Sequence, residues 1–164
     1  MRIALGVPTL NNFKGLAELL ASLWGEEYTP FLVNNWSHNN GVSKAWNEIL
    51  RATIDYDITV ICNDDIVWHG GSWRKLIECW ENKPEDAILI TGSSHERSEI
   101  WEAAPDYSHF SVNSKNYLNK IGLFDENFWP GYHEDGDSHY RIKLAGLEGY
   151  CYSPARTTHA GSAT

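Results

Sequence analysis

Three times in its N-terminal half the chain runs from a short apolar stretch through a polar loop into apolar residues at helical spacing, a recurrence that few folds accommodate. Ile3 to Val7 ends at Pro8 and is followed by Leu16, Leu19, Leu20 and Leu23, with Asn11 or Asn12 placed to cap a helix. Phe31 to Val33 leads through a polar loop, Asn34 to Asn40, into Val42, Trp46, Ile49, Leu50 and Thr53. Ile58 to Cys62 stops at Asn63-Asp64-Asp65. After Gly70-Gly71, a helix capped by Ser72 is expected to present Trp73, Leu76, Ile77 and Trp80, and Ala87 to Thr91 reads as a fourth strand. Strands alternating with amphipathic helices predict an α/β domain with a mainly parallel sheet and helices on both faces. Its ligand site is expected at the carboxyl ends of the strands.

Beyond Gly92 the pattern is less regular. A loop-rich stretch from Ser93 to Tyr107 precedes a strand near Phe110 to Val112 and a short helix from Lys115 to Ile121, ended by Gly122. A last helix is predicted from about Asp137 to Ala145, then a strand around Tyr150 to Tyr152 and a polar tail. With no repeat, low-complexity stretch or linker, 164 residues read as one domain.

Charge narrows the partners. Asp plus Glu number 22 against 13 Lys plus Arg, a net charge of -9, which would repel a nucleic acid. An acidic protein can still hold an anionic ligand through a bound cation, because the ion supplies the positive charge. The cysteines, Cys62, Cys79 and Cys151, are three and far apart, which suits a reducing compartment. No apolar run approaches the roughly 20 residues of a membrane span. A cytoplasmic protein without signal peptide or transmembrane segment is the expectation.

Two clusters carry chemistry. Asn63-Asp64-Asp65 follows a strand end, where carboxylates can reach a hard divalent cation together with phosphate oxygens; the same triplet also suits a plain polar turn. The second cluster runs through Gly122-Leu123-Phe124-Asp125-Glu126 to His133-Glu134-Asp135-Gly136-Asp137 and Arg141. Acids here cap a helix start as readily as they take a proton from an attacking hydroxyl. Of the eight tryptophans, Trp46, Trp73 and Trp80 are assigned to the core. Trp36, Trp68, Trp101 and Trp129 fall in loops or beside these clusters, where an indole face can pack on a sugar ring. Trp101 and Trp129, with His133, are the candidates for acceptor contact.

In their order these segments resemble family 2 of the glycosyltransferases, which have the GT-A fold, over nearly the whole chain. Val7-Pro8-Thr9-Leu10-Asn11 matches the opening strand and turn, and Asn34-Asn35-Trp36-Ser37 an Asp-Asn-x-Ser turn. Asn39-Asn40-Gly41-Val42 through Asn47 is similar to the segment and helix that follow. Asn63-Asp64-Asp65 resembles the Asp-x-Asp metal motif with Asn at its first position, and Gly122 to Arg141 the family's acidic segment. The resemblance implies a minimal catalytic core, residues 1–92 holding the nucleotide and 93–164 the acceptor and catalytic groups. It implies that Pro8, Thr9, Asn11, Asn34, Asn63 and Asp64 bind a nucleotide-sugar donor, with a UDP-sugar the first choice and a dTDP-sugar the second. Asp65 would hold Mn2+ or Mg2+, and His159, at the position of a metal-binding histidine in some relatives, would complete the site; an imidazole favours manganese. Asp135 would be the general base of an inverting hexosyl transfer to a hydroxyl acceptor, a glycan, with Glu134 beside it. Asp137 and Arg141 would brace the helix start. Two other readings stay open: a module of the same fold without turnover, suggested by Asn34 and Asn63, and a sugar nucleotidyltransferase. The latter would need a Gly-rich basic loop that Val7-Pro8-Thr9-Leu10-Asn11-Asn12 does not offer.

Overall fold

The computed structural model describes residues 1–35 and 38–160. Strands β1 (Ile3–Thr9), β2 (Thr29–Asn34) and β3 (Ile58–Cys62) alternate with helices α1 (Phe13–Ser22) and α2 (Val42–Ala52). Then follow β4 (Ile66–Trp68), α3 (Ser72–Glu78) with a 3-10 turn at Cys79–Glu81, β5 (Ala87–Ser93), β6 (Trp101–Glu102), β7 (His109–Val112), α4 (Ser114–Lys120), α5 (Glu134–Leu144) and β8 (Glu148–His159). The strands form one sheet in the order β2-β1-β3-β7-β5-β8-β4, with β6 added against β8. Pairing is parallel for β1 with β2, β1 with β3, and β5 with β8; β7 lies antiparallel between β3 and β5.

Successive strand residues face opposite layers, so one strand feeds two cores. Val60 and Cys62 pack with Leu19, Leu23, Trp73 and Leu76 under α1 and α3, while Ile61 joins Trp46, Ile49, Tyr117 and Ile142 under α2, α4 and α5. The chain is an α/β domain with helices on both faces of its sheet. Trp46 and Trp73 are in these cores, and Trp80 is partly buried with Nε1 donating to Ser111 Oγ at 3.0 Å.

Several boundaries differ from those the sequence suggests. Of the two asparagines, Asn12 caps α1: its Oδ1 accepts from Gly15 N at 3.1 Å. Ser72 does not cap α3. Left-handed Gly71 (φ 74) stands at that position, and the Ser72 hydroxyl instead accepts from Arg156 N at 2.9 Å, tying α3 to the last strand. The stretch expected to be a polar tail extends β8 to twelve residues, because β4 gives it an antiparallel partner: Ile66 pairs with His159 and Trp68 with Thr157. Trp68, one of the tryptophans expected in loops or beside the acidic clusters, is therefore on a strand and buried at 3% exposure. Helix α5 begins at Glu134 rather than near Asp137; left-handed His133 (φ 74) starts it, and Glu134, Asp135 and Asp137 all lie in its first turn, where the helix dipole favours them.

Candidate active site

The loops at the carboxyl ends of β1, β2 and β3 surround a cleft of about 600 Å3, closed on its far side by the start of α5 and the end of β8. Five carboxylates reach its wall, Asp64, Asp65, Asp106, Glu134 and Asp135, and no lysine or arginine is among the described residues that line it.

Asp65 and His159 meet where β4 and β8 begin to pair. His159 Nε2 is 3.1 Å from Asp65 Oδ2, and Ala160 N donates to the Asp65 carbonyl at 3.1 Å. The other carboxylate oxygen, Asp65 Oδ1, is buried without a partner. Burial pushes the Asp65 carboxyl above its ordinary range, and His159 pulls against that shift. Asp64 is oriented from the first loop: Asn12 Nδ2 donates to its Oδ1 at 3.1 Å while Asn12 Oδ1 caps α1. Asn63 is anchored through its backbone to Ser108 O at 2.9 Å. Among the described residues no three His, Cys, Asp or Glu side chains gather as a metal cage. Asp65 and His159 nevertheless fit a hard or borderline cation that keeps other positions for phosphate oxygens and water, since the unpartnered Oδ1 needs a donor or an ion.

Glu134 and Asp135, adjacent at the start of α5, sit in different surroundings. Glu134 is 6% exposed, its Oε2 has no partner, and burial first, then the neighbouring Asp135, raises its carboxyl. Asp135 is half-buried and its Oδ1 accepts from Gly136 N at 2.7 Å. The turn before them places Tyr132 and His133 both at φ 74, a left-handed pair costing roughly 1 kcal/mol or more each. Arg141 braces the helix: its Nε donates to Asp137 Oδ2 at 2.9 Å and its Nη1 to Ile121 O at 2.7 Å.

The remaining expected residues divide. Pro8 and Thr9 line the cleft, and Thr9 Oγ1 is buried without a partner. Asn11 is exposed at φ 60 outside the lining, and its neighbour Asn12 takes the place beside Asp64. Asn34 ends β2 outside the lining, whereas Asn35, 7% exposed, is in it. Trp101 lies outside the lining, edge-on to Tyr150 and tilted against Tyr152. Trp129 is also outside the lining; its Nε1 donates to Asn39 O at 3.1 Å, and it packs on Gly41, where a Cβ would meet Trp129 Cδ1 at 2.9 Å. His133 is exposed outside the lining and starts α5. Trp36, Ser37, Gly161 and Ser162 lie outside the described residues.

Asp106, Tyr107 and Ser108, just before β7, line the cleft although no motif singled them out. Burial raises Asp106, but hydrogen bonds from Ser94 Oγ (2.5 Å) and Ser108 N (3.0 Å) outweigh it and hold the carboxyl below its ordinary range.

No protein-family profile matches the chain, and neither does any curated protein. Solved structures do. A mannosyltransferase from Pyrobaculum calidifontis, in complex with GDP-Man and Mn2+, aligns over 99% of this chain with a TM-score of 0.75 and 15% identity. The chain has the GT-A fold. GalNAc-T7 with UDP, GalNAc and Mn2+ also reaches a TM-score of 0.75, at 8% identity over 97% of this chain. A protein from STIV aligns over 99% at a TM-score of 0.67 and 15% identity. The chain spans 57% of the mannosyltransferase, 44% of GalNAc-T7 and 87% of the STIV protein.

Proposed function

We propose that this protein is a metal-dependent glycosyltransferase that moves a hexose from a nucleotide diphosphate sugar to a hydroxyl acceptor, with inversion. One observation carries the reading: a cleft at the strand ends brings Asp64, Asp65, His159, Glu134 and Asp135 together, with no lysine or arginine among the described residues of its wall. A diphosphate could enter so acidic a cleft only with a cation beside it. Asp65 and His159 would hold that ion, Mn2+ or Mg2+, which when bound would neutralise charge on the departing nucleoside diphosphate. The similar structures were solved with different nucleotides, GDP-Man in one and UDP in another, so the base must be read from this chain. Thr9, Asn35 and Asn34 at the ends of β1 and β2 are the groups nearest that choice. An asparagine amide can pair with a pyrimidine edge, which keeps a UDP-sugar first and a dTDP-sugar second. In this reading residues 1–92 supply most of the donor pocket and 93–164 the catalytic groups.

Asp135 is the base. It is the less buried of the two adjacent carboxylates, and it would take the proton of a glycan hydroxyl as that oxygen attacks the anomeric carbon. Glu134, buried beside it with Oε2 unpartnered, suits a hydrogen bond to the donor or acceptor sugar. The test measures nucleotide binding and release from UDP-sugars with and without manganese, in wild type, Asp65→Ala and Asp135→Asn. Asp135→Asn should bind UDP normally and lose turnover by about a hundredfold or more. Unchanged turnover would remove Asp135 from its role. Nucleotide binding without transfer across a broad set of donors and acceptors would favour the alternative, a sugar-nucleotide-binding module.

A further inference from the structure

A second cleft of about 610 Å3 adjoins the first, and Asp106, Tyr107, Asp135 and His159 belong to both walls. Its other side is built by Ser94, His95 and Arg97 from the loop after β5. Resting on the glycosyltransferase reading, we propose that this second cleft seats the acceptor, and that it selects a neutral sugar by holding two neighbouring hydroxyls on the Asp106 carboxylate.

Position comes first. Asp135 stands on the wall shared by the two clefts, so a hydroxyl entering through the second reaches the base without passing the nucleotide pocket. Preorganisation comes next. Asp106 N donates to Thr91 Oγ1 at 3.1 Å, and its carbonyl accepts from His109 N at 3.4 Å. Its Oδ1 accepts from Ser108 N at 3.0 Å and its Oδ2 from Ser94 Oγ at 2.5 Å. Ser108 and Ser94 thus anchor both oxygens, and a carboxylate held at both ends suits two adjacent hydroxyls at its remaining lone pairs.

Charge sets the class. Asp106 and Asp135 both face this space, and the guanidinium on its wall is already engaged: Arg97 Nη1 donates to Glu102 Oε2 at 2.8 Å and Nη2 to Ala104 O at 3.3 Å. A phosphate or carboxylate on the acceptor would meet two carboxylates, and of the guanidinium only the buried Nε is left without a partner. Neutral hydroxyls meet acceptors already in place.

Amide NMR shifts of the full chain, saturated with UDP and Mg2+, test this. Methyl α-D-mannopyranoside and methyl β-D-galactopyranoside serve as neutral probes, and mannose 6-phosphate and galactose 6-phosphate as anionic ones. Neutral probes should move the amides of Ser94, His95 and Asp106, with the phosphates about tenfold weaker. Asp106→Ala should weaken the neutral probes about tenfold while UDP still moves Thr9 and Asn35. His95→Lys, on an exposed residue, should improve binding of the phosphates, and it decides the matter if Asp106→Ala does not fold. UDP that leaves Thr9 and Asn35 unmoved would sink the glycosyltransferase reading itself. UDP binding with no neutral probe in the second cleft, or with phosphates bound as tightly as neutral sugars, would overturn the acceptor proposal alone.

Discussion

His159 Nε2 lies 3.1 Å from Asp65 Oδ2 although more than half the chain separates the two residues, because Ile66 and His159 are directly paired across β4 and β8. Truncating either side chain should therefore weaken the same ion. In Asp65→Ala and His159→Ala, manganese-supported UDP binding, followed by calorimetry, should fall about tenfold or more, and the thermal stabilisation produced by UDP with Mn2+ should shrink with it. UDP binding equal to wild type in both variants would remove the ion from this pair.

Glu134 and Asp135 should respond oppositely to amidation. Glu134 is buried with one carboxyl oxygen unpartnered, so Glu134→Gln keeps its shape and can still hydrogen-bond a sugar. Its turnover should stay within about tenfold of wild type, against the much larger loss in Asp135→Asn. If Glu134→Gln is the more damaging of the two, the base belongs to Glu134.

His109 gives the fold an acid sensitivity of its own. Burial holds this imidazole down to about 4, and its Nδ1 pairs with the Ser108 hydroxyl at 3.0 Å while Nε2 has no partner. The unfolded chain titrates near 6.5. Between 6.5 and about 4 the unfolded state takes up a proton that the native state refuses, so stability falls as the pH drops through that window, by at most on the order of 3 kcal/mol. Denaturation midpoints at pH 7 and pH 5 should diverge less in His109→Asn, which keeps a polar atom near Nδ1. Equal divergence in both proteins would place the acid sensitivity elsewhere.

Asn47 should be costly to remove. It is fully buried in α2, its Oδ1 accepts from Phe124 N at 2.9 Å, and its Nδ2 donates to Phe124 O and Glu126 Oε1, both at 2.9 Å. Asn47→Ala leaves the Phe124 amide and carbonyl without this partner, at a cost of about 2–4 kcal/mol readable in a denaturant titration. A loss under about 0.5 kcal/mol would mean that water replaces the side chain without penalty.

How much of this was legible in the sequence depends on how local each signal is. β3 spans Ile58–Cys62 as its β-branched, mostly apolar run suggests, and α2 starts at Val42 where the amphipathic spacing begins. β4 and β6, with three and two residues, are too short to show a period of two. β8 was readable only in part, because its second half is polar and contains Pro154; its strand character comes from β4, a partner far away in sequence. The site divides in the same way. Asp64, Asp65, Glu134 and Asp135 were visible as clusters of acids at element ends. Asp106 was not, since its meaning depends on Ser94, Ser108 and a cleft wall that only the folded sheet assembles. Trp101 suits a sugar platform by its sequence setting, but the fold packs it against two tyrosines of β8 outside the cleft.

β8 pairs with β5, β4 and β6, and it alone brings His159 to Asp65. On the ribosome this orders events. The loops of β1, β2 and β3 emerge early with their acids, but until residue 159 has left the exit tunnel, β4 has no strand beside it and Asp65 no imidazole. On the proposed reading a nascent chain could begin to shape the nucleotide pocket long before it could arm it, and ion capture would be deferred until the strand that brings His159 to Asp65 has been made.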